Sequence, residues 1–117
     1  MPTFDETAMF VDDWNGLGLG FPDLFRLQTE IMSNPTVGAV IPGTNGLRKM
    51  RFSPEKWKVG KSGGLRVLYF LLPEFGVVVL VTAYRKNEVE NISAEDKKSI
   101  NKLIARIKSA KSRREDG

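Results

Sequence analysis

The chain has 117 residues, with 18 Lys+Arg, 14 Asp+Glu, no histidine and no cysteine. One domain of this length, 41% apolar, can bury a core without staples. The missing cysteines exclude a disulfide scaffold and any thiolate metal site. The missing histidines exclude Ser-His-Asp and Cys-His catalysis, imidazole-ligated zinc hydrolases and histidine acid/base nucleases. An enzyme built from this chain must work with Lys, Arg, Tyr and carboxylates.

The net charge of +4 conceals an asymmetry. Residues 1–47 hold one basic residue, Arg26, against six acids, whereas residues 48–117 hold 17 basic residues against eight acids. A basic second half on an acidic first half points to a polyanionic partner for the second half. The N-terminus has no basic n-region, and the longest uncharged apolar run, Phe75 to Tyr84, is about half a membrane span. A cytoplasmic protein is expected.

In chain order, Thr7 to Trp14 reads as a short helix with Phe10 and Trp14 on one face. Gly16-Leu17-Gly18-Leu19-Gly20 reads as a flexible hinge. Phe21 to Met32 reads as a second helix, with Pro22 in its first turn, Leu24, Leu27 and Ile31 at helical spacing, and Asn34-Pro35 ending it. Three strands follow: Leu47 to Phe52, Leu65 to Leu72 and Val77 to Tyr84, the last two joined by a Pro73-Glu74-Phe75-Gly76 turn. Val77 to Val81 is apolar on both faces and is expected in the interior of the sheet. Ser93 caps a final helix whose stripe is Ile100, Leu103, Ile104, Ile107 and Ala110. Ser112 to Gly117 reads as a tail. Helices, a strand meander and a helix argue an α+β domain with an antiparallel sheet.

Several motifs are set aside. Gly60-Lys61-Ser62 has Glu55 where a phosphate loop needs glycine, and it leads into a strand. The glycines at 16–20 follow no strand. The pairs Asp5/Glu6 and Asp12/Asp13 lack further ligands at metal spacing and suit a helix start or a solvated surface.

Basic residues on strands remain. Alternation puts Lys49 and Arg51 on one face, opposite Met50 and Phe52. Arg66 opens the next strand on the face opposite Val67 and Tyr69, and Tyr84 and Lys86 close the last strand on a common face. Cations inside an antiparallel sheet require a face open to solvent or to a ligand. The alternatives are a solvated outer face and a face that presents cations and a tyrosine to a phosphate backbone.

Three blocks carry a family resemblance: Val40-Ile41-Pro42-Gly43-Thr44-Asn45-Gly46-Leu47-Arg48-Lys49-Met50-Arg51, Gly60-Lys61-Ser62-Gly63-Gly64-Leu65-Arg66-Val67-Leu68-Tyr69-Phe70, and Thr82-Ala83-Tyr84-Arg85-Lys86-Asn87-Glu88. In this order they resemble RelE-like toxins of the HigB type, from about Phe21 to the last helix, with residues 1–20 a poorer match. The resemblance implies a RelE/ParE-like α+β fold, with N-terminal helices packed on a small antiparallel sheet and a C-terminal helix. It implies the toxin of a type II toxin–antitoxin pair, a ribosome-dependent mRNA endoribonuclease that needs neither metal nor cofactor. In such enzymes the substrate 2′-hydroxyl attacks the adjacent phosphate, and positioned cations stabilise the transition state.

Transferred by motif, Lys49, Arg51, Arg66 and Lys86 are the expected catalytic cations. The general base stays open among Glu88, Tyr84 and a lysine of depressed pKa, because Asn87 replaces a family arginine and the family's later tyrosine falls near Ser93. Arg48, Lys56, Lys58, Lys61, Tyr69 and Arg85 are expected to contact RNA. Expected partners are a HigA-like helix-turn-helix antitoxin, the ribosome and mRNA, with operator DNA reached only through the antitoxin and no membrane. Rival readings are a ParE-like gyrase inhibitor on the same fold and a nucleic-acid-binding module without chemistry.

Overall fold

In the computed structural model, which describes residues 2–58, 64–86 and 93–116 (side chains to Arg113), both faces of one sheet are covered by helices. The elements are β1 (Thr3–Glu6), α1 (Ala8–Gly16), α2 (Phe21–Ser33), β2 (Ala39–Val40), β3 (Arg48–Phe52), β4 (Leu65–Leu72), β5 (Val77–Arg85) and α3 (Ala94–Asp116). Strand order is β1-β5-β4-β3-β2, antiparallel from β2 to β5, with β1 added parallel to β5. The sheet is therefore mixed where the sequence predicts purely antiparallel pairing. The apolar strand β5 is interior, as its composition requires, and the Pro73–Phe75 turn closes on Gly76 at φ +64°, a conformation that favours glycine.

Alternation along β3, β4 and β5 sends one set of side chains to each side. Met50, Phe52, Leu65, Val67, Tyr69, Val78 and Leu80 meet Phe10, Trp14, Leu27 and Ile31 of α1 and α2. Phe10 and Trp14, four residues apart on α1, stack at 5.3 Å, and Trp14 reaches Phe52 at 6.0 Å. The cap of α1 is fastened to the sheet: Thr7 Oγ1 accepts from Phe10 N (3.0 Å) and donates to Val81 O (2.7 Å). On the other side Leu68, Phe70, Leu72, Val77, Val79 and Val81 pack against Ile100 and Ile104 of α3.

The glycine-rich segment after α1 is an ordered turn and not a flexible hinge. Leu19 is buried with its N–H on Trp14 O (3.1 Å), and the indole Nε1 donates to Gly20 O at 3.1 Å. Ser93 caps α3 by accepting from Asp96 N at 3.0 Å. The helix is pinned by Asn101 to the 43–45 loop and by the Lys111–Asp5 ion pair at 2.9 Å. Its backbone stays helical to Asp116, past Ser112, where the sequence reads a tail. Among the described residues no helix is long and apolar enough to cross a membrane.

Tyr69 ties the loop before β2 to the core. Its hydroxyl donates to Pro35 O (2.8 Å) and accepts from Gly38 N (3.0 Å), and the ring is fully buried. Burial pushes its pKa above the usual tyrosine value, against the opposing pull of the Gly38 hydrogen bond and the Arg48 charge. Tyr69→Phe should destabilise the protein by about 1–3 kcal/mol, since it orphans a buried N–H and C=O. Urea denaturation checks this, and an unchanged midpoint would mean water replaces the hydroxyl.

Candidate nucleic-acid interface

The cations of β3 and β4 sit where they do because the strands alternate. Met50 and Phe52 are drawn into the core under α1 and α2, so Lys49 and Arg51 must face the other way, half-buried and exposed respectively. The register then aligns Arg51 opposite Arg66 and Arg66 opposite Tyr84, one row across three strands. Directly paired side chains lie about 5 Å apart at Cβ, and like charges so placed repel unless an anion joins them. The α3 stripe packs on the Leu68–Leu72 and Val77–Val81 part of this face, and the row lies beyond it towards the end of the strands, with Tyr84 packed at the margin of the same core.

Arg66 is half-buried: Nη1 donates to Leu65 O at 3.3 Å, and its charge reaches the Tyr84 phenol. Burial raises the Tyr84 pKa above the ordinary tyrosine value and the Arg66 cation pulls it down, with burial the stronger. At neutral pH even an unshifted tyrosine is phenolate only about one part in a thousand. Tyr84 therefore meets a ligand as a neutral phenol, a hydrogen-bond and proton donor, and is a poor general base. Exposed Lys86 comes to the same end, its N–H on Gly64 O at 3.2 Å. Gly64 is needed there: a Cβ would lie 2.4 Å from Phe52 O.

Of the other residues expected to touch RNA, Lys56 and Lys58 are exposed around the Glu55–Trp57 turn that follows β3. Arg85, one residue past Tyr84, turns to the opposite side and lays its guanidinium over the Trp57 ring at 4.1 Å. Tyr69 must be corrected, and Arg48 is in part committed to the protein's own backbone. The Arg48 Nη1 donates to Gly38 O at 2.7 Å, which commits one of its five N–H donors to the 35–38 loop. Tyr69 is buried with its hydroxyl both donating to Pro35 O and accepting from Gly38 N, so it holds that loop and offers nothing to an external phosphate. Lys61 and Glu88 lie outside the described residues. Trp57, the platform for Arg85, escaped the sequence reading, because the 53–58 turn has no periodic signal. Among the described residues no three carboxylates converge as a metal site.

No family model matches the sequence. The architecture is nonetheless that of RelE-like toxins. A free-state E. coli RelE toxin with two arginines changed to alanine aligns at TM-score 0.53 and 19% identity, over 76% of this chain and 87% of that one. The isolated E. coli RelE toxin aligns at TM-score 0.53 and 17% identity, over 88% of this chain and 99% of that one. The second alignment spans more of the chain than the sequence blocks do.

Proposed function

We propose that this chain is a RelE-type toxin of HigB character, a metal-independent endoribonuclease that cuts mRNA on the ribosome. The observation that supports it best is the Arg51–Arg66–Tyr84 row across three adjacent strands. In the proposed reaction the 2′-oxygen bonds to the adjacent phosphorus while the bond to the 5′-oxygen breaks, leaving a 2′,3′-cyclic phosphate and a 5′-hydroxyl. Arg66 and Arg51 hold the non-bridging oxygens as charge builds, with Lys49 and Lys86 adding field. Tyr84, as a neutral phenol, donates to the leaving oxygen. The proton from the 2′-hydroxyl goes to the Glu88 carboxylate or to a lysine in its neutral amine form. The ribosome supplies alignment of the RNA. A HigA-like antitoxin masks the basic half in the cytoplasm and carries any contact with operator DNA.

Primer extension on a message translated with the purified protein tests this. New 5′ ends inside codons, with naked RNA intact, are expected. Intact mRNA together with trapped gyrase–DNA complexes would replace the proposal with a ParE-like activity.

A further inference from the structure

The outward side of α3 carries a second cationic surface that the reaction does not use. Its stripe of Ile100, Leu103, Ile104 and Ile107 is turned to the sheet, so helical geometry sets Lys98, Lys102, Arg106 and Arg113 on the opposite side, all exposed. Among the described residues none of these four is ion-paired, whereas Lys111 on the flank is tied to Asp5. Lys98, Lys102 and Arg106 follow at four-residue steps, about 6 Å of helix axis each. Between them Ser99 and Ala105 leave a shallow hollow with Lys102 and Arg106 at its edges.

We propose that this stripe grips the phosphate backbone of an RNA double helix, separately from the strand that is cut. Charge complementarity picks a polyanion, and the missing side chains narrow the choice. Residues 94–113 contain no aromatic, so the platform on which single-stranded bases stack is lacking. The outward stripe also has no large apolar residue to anchor a protein segment, whereas backbone contact needs cations alone. The choice of RNA over DNA rests on the proposed function, since the stripe and the Arg51–Arg66 row belong to the same side of the sheet.

The probe is a fluorescent RNA duplex of about 16 base pairs, titrated with the intact protein at several salt concentrations. The variant is Lys98→Gln/Lys102→Gln/Arg106→Gln, in which glutamine keeps helix propensity. Binding should weaken about 10–100-fold, and the slope of log affinity against log salt should shrink by about 2–3, near 0.9 per lost phosphate contact. The charge-keeping variant Lys98→Arg/Lys102→Arg/Arg106→Lys should bind like the native chain. An unchanged affinity and slope in the glutamine variant would overturn the assignment. Tighter binding of a DNA duplex of the same sequence would overturn the choice of RNA. Cleavage within codons that persists without stripe-dependent duplex binding sinks this inference alone. Stripe-dependent binding without any cleavage sinks the proposed function alone.

Discussion

Arg66→Ala is expected to slow single-turnover cleavage on programmed ribosomes by about 10²–10³-fold, the usual loss for one transition-state donor. Arg66 is at the centre of the row, between Arg51 on β3 and Tyr84 on β5. A planar guanidinium bridges two phosphate oxygens, which an ammonium does only as a point charge, so Arg66→Lys should recover part of the rate. The fold should change little, by about 1 kcal/mol or less, because Arg66 is only half-buried and does not belong to either apolar cluster of the core. A thermal melt run beside the kinetics separates the roles. Normal cleavage with a lowered melting temperature would make Arg66 a structural anchor and remove it from the reaction.

What could be read from the sequence was whatever is written in local periodicity. α2, α3, β4 and β5 have apolar residues at helical or strand spacing over eight or more residues, and their boundaries fall within a few residues of the expected ones. The face shared by Lys49 and Arg51 follows from Met50 and Phe52 by alternation alone. β1 and β2 were missed for a different reason: they have four and two residues, too short for a pattern. β1 exists because Thr3 finds Val77, a partner 74 positions away, and Asp5 finds Lys111. Composition also misled at the 16–20 glycines, where Trp14 and Leu19 impose order that no glycine count reveals. Tyr69, a tyrosine on a basic strand, resembles an RNA contact in its local sequence, yet alternation groups it with Val67 on the core side. The candidate site was legible as strands and cations. Its cross-strand row was not, because register depends on the Leu68/Tyr69 irregularity as well as on pattern.

Neighbours Arg51 and Phe52 should separate function from stability more sharply than any other pair. Phe52 is fully buried, 6.0 Å from the Trp14 ring, with the Arg26 guanidinium 5.3 Å from its centroid. Phe52→Ala opens a cavity between β3, α1 and α2 and should cost about 3–5 kcal/mol. Against a typical total of about 5–15 kcal/mol, that loss would leave a fraction of the chains unfolded at working temperature. Arg26, whose Nη1 also donates to Asp23 Oδ1 at 3.1 Å, would lose the ring beneath it. Arg51 points out of the other face and is exposed, so Arg51→Ala should stay within about 0.5 kcal/mol of the native chain while weakening RNA binding and cleavage. Urea denaturation with shared slopes gives both values. A small loss for Phe52→Ala would mean the helices close over the gap, and a large one for Arg51→Ala would mean that the row is held together by its own contacts and is not open for a phosphate.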